Sequence, residues 1–214
     1  MKITLTKPQH HISSSKKRFR VLISGRRFGK TYLAITEMMK YASKPNQRIW
    51  YVAPTLKMAK DICWSQLKEV LNQFNWIEDI NETTLTITIR KTNSTISLKS
   101  ADLPDTLRGT GLNFLILDEF ADIDKRAWFE VLRASVSDTL GHVMMCGTPK
   151  GYGNWSYEMY LKGEKKTICP SIEEVRKFAY FYFIKGCIPW YLHENMYNDY
   201  FSGYTINCLD DLKQ

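Results

Sequence analysis

The most informative segment of this 214-residue chain is residues 24–31, which read Ser24-Gly25-Arg26-Arg27-Phe28-Gly29-Lys30-Thr31. A short apolar stretch at residues 20–24 leads into the glycines, and residues 30–42 follow with a helical pattern. A glycine-containing loop between a strand and a helix presents backbone N–H groups and a helix N-terminus to phosphate. The stretch therefore predicts a nucleotide-binding phosphate loop, with Lys30 directed to the β- and γ-phosphates and the Thr31 hydroxyl to Mg²⁺. The loop departs from the usual pattern in having serine, not glycine, as its first residue.

A second motif supports the same chemistry, since Phe114-Leu115-Ile116-Leu117-Asp118-Glu119 is an apolar strand that ends in two acids. Buried carboxylates need partners, so two of them at a strand end indicate a site. We expect Asp118 to hold Mg²⁺ through water and Glu119 to be the general base that polarises the attacking water. The alternative is that the two acids only cap the following helix. Together the motifs predict hydrolysis of a nucleoside triphosphate, and ATP is favoured because no guanine-recognition motif is present.

Strands and helices alternate along the chain. Strands are predicted at residues 20–24, 48–53, 114–117 and 142–146, and a hairpin at residues 83–90 and 96–98. Helices are predicted at residues 30–42, 58–71, around 128–135 and at 155–161. This alternation predicts an α/β fold of the P-loop NTPase (RecA/ASCE-like) class, with helices flanking a mostly parallel sheet. We expect an ATPase core at residues 1–165 and a small C-terminal lid or linker subdomain at residues 166–214, with a strand at 178–184.

Charge is distributed unevenly along the chain. The net charge is +8, but residues 1–60 carry fourteen Lys and Arg against a single acid, Glu37, and the remainder is net acidic. A basic block favours a polyanionic partner such as a nucleotide or a nucleic acid, although a solvated basic surface has the same composition. The five scattered cysteines favour a reducing compartment over a disulfide scaffold or a zinc site. The longest apolar run is too short to span a membrane, and the N-terminus lacks a signal-peptide pattern.

Several segments, taken in order together with the strand that ends in two acids, resemble the ATPase domain of the large terminase subunit, the motor that packages DNA into tailed-phage capsids. They are Pro8-Gln9, residues 25–31, Trp50-Tyr51-Val52-Ala53-Pro54-Thr55, Leu107-Arg108-Gly109 and Gly147-Thr148-Pro149-Lys150-Gly151. The first is similar to an adenine-reading glutamine motif, and the second to the terminase form of the phosphate loop. The third is similar to a segment shared with helicases. The fourth is similar to the segment that precedes the acidic strand in the family, and the last is similar to a coupling motif. The resemblance covers about residues 5–160.

The resemblance implies roles for individual side chains. Gln9 would contact the adenine edge, a task suited to an amide that both donates and accepts, unless it is an ordinary surface glutamine. Arg26 would act on the γ-phosphate of its own subunit, and Arg108 would reach the site of a neighbouring subunit. The sequence leaves open whether the arginine finger acts in cis or in trans, and whether Arg27 faces solvent. Thr148 would sense the γ-phosphate and relay hydrolysis to motion, or would simply form a turn.

For the whole protein the resemblance implies ATP-driven translocation of double-stranded DNA into a capsid. The implied partners are DNA, the phage portal and the small terminase subunit, in the host cell cytoplasm and without a membrane. A homo-oligomeric ring is expected in the active motor and a monomer for the isolated chain. Only 63 residues follow Gly151, too few for the nuclease domain of the family, so no nuclease activity is expected. Two alternatives stay open: a helicase-like DNA-dependent ATPase, and a catalytically inactive P-loop binding module.

Overall fold

The computed structural model describes residues 3–162, and a seven-stranded sheet forms their centre. The strands are β1 Phe19–Ile23, β2 Arg48–Ala53, β3 Ile77–Asn81, β4 Thr86–Ile89, β5 Thr95–Ser100, β6 Phe114–Leu117 and β7 His142–Gly147. Their spatial order is β1-β7-β6-β2-β5-β4-β3. The first five in this order run parallel, whereas β4 pairs antiparallel with β5 and with β3. The predicted α/β class with a mostly parallel sheet is confirmed.

Helices flank the sheet. They are α1 Lys7–Ser14, α2 Lys30–Ala42, α3 Leu56–Ala59, α4 Ser65–Gln73, α5 Arg133–Ser137 and α6 Trp155–Leu161. Wider π-helical turns at Lys60–Trp64 and Ala127–Leu132 lead into α4 and α5, and 3₁₀ turns occupy Pro104–Leu107 and Phe120–Asp122. The helix predicted at residues 58–71 therefore begins earlier, at Leu56, and is interrupted by a π turn. Among the residues that the structure describes, no helix is long and apolar enough to cross a membrane.

The sheet is buried on both faces by two apolar cores. Successive residues of β2 contribute alternately to them, with Ile49 and Tyr51 in one core and Trp50 and Val52 in the other. Because both faces are covered, β2 and β6 read as nearly continuous apolar runs instead of alternating patterns. Helical residues complete the cores, namely Leu33, Met38 and Leu67 on the first side and Trp128, Leu132 and Trp155 on the second.

Two elements were not predicted from the sequence pattern. The helix α1 begins at a capping box, in which the Thr6 side chain and the Gln9 side chain each bind the other residue's backbone N–H. The edge strand β3 is mostly exposed and charged, which protects the sheet edge but removes the alternation that marks a strand. The predicted strand at residues 178–184 and the predicted subdomain at residues 166–214 lie outside the described residues.

The strands that carry the predicted site are neighbours in the sheet. β7 lies between β1 and β6 and is parallel to both, so the three carboxyl ends meet at one edge. Ligands of open α/β sheets bind in the crevice beyond these ends. The fold therefore brings the phosphate loop after β1, the acids after β6 and the coupling motif after β7 to one place, although the loop lies far from the other two along the chain.

Candidate active site

The phosphate loop lies between β1 and α2. Ser24 donates its backbone N–H to the Gly147 carbonyl oxygen at 3.1 Å, which ties the start of the loop to the end of β7. Arg27 and Gly29 have φ angles of +64° and +81°, so the chain turns through left-handed conformations before α2 begins. Phe28 is buried in the core and anchors the loop between them. The N-terminal N–H groups of the 13-residue helix α2 face the loop, which is the arrangement that binds phosphate.

Lys30 connects the loop with the two acids after β6. Its Nζ lies 3.2 Å from the Gly25 carbonyl oxygen and 3.5 Å from the Ser24 carbonyl oxygen. The same atom lies 3.7 Å from Oε1 of Glu119, and both side chains are largely buried. The ammonium is therefore placed between loop carbonyls and a carboxylate, at the position where a phosphate-binding cation is required.

Glu119 and Thr148 contact each other across β6 and β7. Oε2 of Glu119 accepts a hydrogen bond from the Thr148 hydroxyl at 2.9 Å and another from the Thr148 backbone N–H at 3.2 Å. Glu119 has a φ of +45°, a left-handed conformation that is uncommon for a residue with a side chain and that is found in functional sites. The turn directs the carboxylate of Glu119 to both Lys30 and Thr148.

Asp118 is buried at the end of β6, with an exposed fraction of 3%. Its backbone N–H donates to the Val52 carbonyl oxygen at 2.8 Å, and its Oδ2 accepts a short hydrogen bond from the Tyr51 hydroxyl. Burial raises the pKa of the Asp118 carboxyl, and the Tyr51 hydrogen bond opposes that rise. Burial likewise raises the pKa of Tyr51 well above its ordinary value, which keeps its hydroxyl a donor. Sequence reasoning missed Tyr51 as a site residue, although a hydroxyl in an otherwise apolar buried strand was a usable signal.

The Gln9 side chain is hydrogen-bonded to the phosphate loop. Its Nε2 donates to the Phe28 carbonyl oxygen at 3.0 Å and lies 3.4 Å from the Gly29 carbonyl oxygen, and its Oε1 accepts from the Thr6 N–H at 3.0 Å. A Cβ added at Gly29 would lie 2.6 Å from the Gln9 Nε2 and would displace the amide, and the φ of +81° at Gly29 is itself one that glycine adopts without strain. Gln9 is buried, and the interpretation as a surface glutamine is therefore wrong. The adenine contact stays a prediction.

The three predicted arginines lie at the surface. Arg26 and Arg27 are exposed on the phosphate loop itself. Arg108 places its Nε 2.8 Å from Oδ1 of Asp105, and its Nη1 lies 3.5 Å from the Glu130 carbonyl oxygen. Arg26 and Arg27 thus lie on the phosphate loop, whereas Arg108 contacts Asp105 and Glu130, which lie outside the loop.

Asp118 and Thr31, the residues predicted to hold Mg²⁺, are a chemically suitable pair. Carboxylate and hydroxyl oxygens are ligands that Mg²⁺ prefers, and it usually keeps waters and nucleotide phosphates as its other ligands. Asp118 supplies a buried carboxylate, and Thr31 lies in the first turn of α2. Within residues 3–162 no group of three His, Cys, Asp or Glu side chains is arranged to hold a metal ion. The residues fit a metal that binds together with a nucleotide.

Comparison with known proteins gives consistent relatives. The N-terminal model of the family "Terminase large subunit, T4likevirus-type" matches residues 21–176. The large terminase subunit of Thermus phage G20c is 32% identical over 181 residues, covering 73% of this chain and 36% of that protein. The chain thus spans about a third of the length of the curated relatives it matches.

Solved structures share the fold. A single-residue variant of the large terminase ATPase domain of Thermus phage P74-26 is 28% identical, with a TM-score of 0.68 over 79% of this chain and 74% of that one. The large terminase of another thermophilic bacteriophage, in complex with ATP-gamma-S, is 18% identical, with a TM-score of 0.64 over 74% of this chain and 42% of that one. The resemblance identified in the sequence is confirmed. Since the family model matches most of the chain, this protein belongs to the terminase large subunit family of T4likevirus type, and what it matches is the N-terminal part of that family.

Proposed function

We propose that this chain is the ATPase domain of a DNA-packaging motor, which hydrolyses ATP to drive double-stranded DNA into a phage capsid. The observation that carries the proposal is the contact set of Lys30, Glu119 and Thr148 at the carboxyl edge of the sheet. It combines a cation that can bind the phosphates, a carboxylate that can orient the attacking water, and a hydroxyl that is hydrogen-bonded to that carboxylate. Membership of the terminase family supports the biological role, and a neighbouring structure in complex with ATP-gamma-S indicates that this fold can hold an adenine nucleotide.

The phosphate loop and Lys30 bind the triphosphate in this mechanism. Backbone N–H groups of the loop and of the first turn of α2 donate to phosphate oxygens. Lys30 exchanges the carbonyl oxygens of Ser24 and Gly25 for phosphate oxygens, which are stronger partners for an ammonium because they are charged. Arg26 adds a second cation at the γ-phosphate. Asp118 and Thr31 would hold Mg²⁺, which would supply positive charge against the phosphates.

Glu119 orients the attacking water and accepts its proton. Its Oε2 is held by the two hydrogen bonds from Thr148, whereas its Oε1 faces Lys30 at 3.7 Å. Once Lys30 turns to the phosphates, Oε1 is left for the water. The Lys30 ammonium thereby links binding of the triphosphate to release of the Glu119 carboxylate.

Thr148 connects the base to the strand that moves. It follows Gly147, the last residue of β7, whose carbonyl accepts the Ser24 N–H at the start of the loop. Loss of the γ-phosphate would change the position of Glu119 and Lys30, and the two hydrogen bonds of Thr148 would pass this change to β7. We propose this as the first step of force generation.

Gln9 is the proposed adenine contact. Both ends of its amide bind protein groups, so reading the adenine edge requires the exchange of at least one of these bonds. Adenine recognition would then act directly on the Phe28 and Gly29 carbonyls of the phosphate loop.

The partners proposed with this function are double-stranded DNA, the phage portal and the small terminase subunit, and the proposed setting is the host cell cytoplasm. The active assembly is proposed to be a ring of identical subunits. In a ring, the exposed Arg108 is available to a neighbouring site, because its present contacts are one exposed carboxylate and one backbone carbonyl.

Replacing Glu119 by Gln tests the catalytic assignment. The amide keeps the size of the side chain and an acceptor for Thr148 but cannot take a proton, so we expect ATP binding within about twofold of the unmodified chain and turnover lower by about a hundredfold or more. Fluorescent-nucleotide binding and phosphate release measure the two quantities. Glu78→Gln is the matched control, because Glu78 is exposed and pairs with Arg90 on the far side of the sheet. Undiminished turnover in Glu119→Gln would contradict the base assignment, and absence of ATPase activity in the unmodified chain would support an inactive binding module.

Mixing two inactive variants tests whether Arg108 acts in trans. In an assembly of Arg108→Ala and Lys30→Ala subunits, the second variant can supply the arginine that the first lacks. ATPase activity of the mixture above the sum of the separate activities indicates action in trans, and activity equal to that sum indicates action in cis. Stimulation by double-stranded DNA favours the packaging motor, whereas stimulation only by single strands favours the helicase-like alternative.

A further inference from the structure

The contact between Tyr51 and Asp118 follows from the register of two central strands. In the parallel pairing of β2 with β6, Tyr51 lies opposite Ile116 and Val52 opposite Leu117. Residues two apart on a strand share a face, so Asp118 lies on the same face as Ile116 and one step beyond it. The Tyr51 ring therefore extends along this face, and its hydroxyl reaches Oδ2 of Asp118.

The Tyr51 hydroxyl donates to Asp118, whose carboxylate also accepts a backbone hydrogen bond from Glu119. Tyr51 is fully buried, and a buried hydroxyl without a partner is unfavourable. The other polar side chains close to Asp118 in the core include the thiols of Cys63 and Cys146, which are fully buried and are weak donors. The phenol is thus the strong side-chain donor that faces the carboxylate from the core.

We propose that Tyr51 is a positioning residue that holds Oδ2 of Asp118, so that the other carboxylate oxygen is already oriented for the hydration shell of Mg²⁺ before nucleotide binds. This inference rests on the proposed function and adds a residue to it. A hydrogen-bonded partner behind a metal-binding carboxylate removes the rotation of its χ2 angle, so the metal does not have to order it. The hydroxyl acts through Asp118 and does not touch the nucleotide.

Tyr51→Phe removes only the hydroxyl and keeps the ring in the core. The loss of such a supporting partner typically costs about 10–100-fold in metal affinity. We expect the Mg²⁺ concentration that gives half-maximal binding of a fluorescent ATP analogue to rise by about tenfold. Binding of the same analogue in EDTA should stay within about twofold, because the phosphate loop is unchanged. If the role of Tyr51 were purely structural, Tyr51→Phe would lower the unfolding midpoint. Binding of the analogue with Mg²⁺ and binding in EDTA would then weaken to the same extent.

Two further variants complete the experiment. Tyr41→Phe is the matched control, since Tyr41 stacks on Phe114 with ring centroids 4.0 Å apart at the other end of β6. Asp118→Asn combined with Tyr51→Phe tests the route, because the second change should add no further loss of Mg²⁺ dependence if the hydroxyl acts through Asp118. The double variant also removes the buried charge that loses its Tyr51 partner in the single variant, which keeps a folded form available.

An unchanged Mg²⁺ dependence in Tyr51→Phe would overturn the positioning role. So would equal weakening of binding with Mg²⁺ and in EDTA, or additive losses in the double variant. Failure of the proposed function looks different, because the unmodified chain would then show no Mg²⁺-dependent binding of the ATP analogue at all.

Discussion

The ion pair between Arg20 and Glu37 is a point at which one substitution should strongly destabilise this fold. Glu37 on α2 is fully buried, and Arg20 on β1 is nearly so. Nη2 of Arg20 lies 2.6 Å from Oε2 of Glu37, and the Ser13 hydroxyl donates to Oε1 at 2.6 Å. Nη1 of Arg20 also donates to the Ile12 carbonyl oxygen at 3.1 Å. The ion pair therefore holds α1, which carries Gln9, against the sheet and against α2.

Glu37→Gln removes the charge and keeps the size of the side chain. Arg20 then stays buried without its counterion, a change that costs about 3–5 kcal/mol. We expect the lower end, because Nε of Arg20 has no hydrogen-bond partner among the described residues and the pair is not fully satisfied. Lys40, whose half-exposed ammonium lies 3.8 Å from Oε1, is itself a cation and so cannot replace the lost negative charge. A loss of about 3 kcal/mol is a large part of the roughly 5–15 kcal/mol that stabilises a typical domain.

Urea unfolding followed by circular dichroism measures the effect. Arg20→Met should cost a similar amount, because it removes the nearest counterion of the buried Glu37 carboxylate. The double variant Arg20→Met with Glu37→Met leaves no buried charge, so its loss should be smaller than the sum of the single losses by about 2 kcal/mol or more. Lys40→Met is the control and should cost less than about 1 kcal/mol. A loss under about 1 kcal/mol in Glu37→Gln, or additive losses in the double variant, would show that the two charges do not stabilise each other in the core.

Three further outcomes are expected. Gly141→Ala should lower the free energy of unfolding by about 1–3 kcal/mol, because the added Cβ would lie 2.0 Å from the Leu112 carbonyl oxygen; an unchanged urea midpoint would contradict this. Thr148→Val removes one hydrogen bond to Glu119, so kcat should fall about tenfold with nucleotide affinity retained, whereas a change in affinity alone would argue against the role. Burial lowers the pKa of His142 below 6.5, so the unfolded chain binds more protons than the folded one. The free energy of unfolding should therefore fall as the pH drops through that value. His142→Gln should reduce this fall, which urea midpoints at about pH 7.5 and about pH 5.5 will measure.

Much of the site could be predicted because its motifs are contiguous. The loop that ends in Lys30 and the apolar strand that ends in Asp118 each combine a local structure with a chemical group, and both lie in the elements that the pattern predicted. The helix α1 was not predicted, because Thr6 and Gln9 form a capping box but only Gln9 and Ile12 are buried in the helix that follows, so its apolar pattern is weak. The strand β3 offered no comparable signal, because Ile77 and Ile80, which pack on the core, are three residues apart across a shift in pairing register and its other residues are exposed.

The fold class, the phosphate loop, the two acids and the terminase family could be read from the sequence, since each depends on short contiguous segments. Which distant groups meet depends on the folded chain. Tyr51 and Asp118 are 67 residues apart, and Glu119 and Thr148 are 29 apart. Their contacts depend on the order and register of parallel strands, which place β7 between β1 and β6 and β2 beside β6. That order follows from how two apolar cores close on both faces of one sheet, a property of the whole chain and of no single segment.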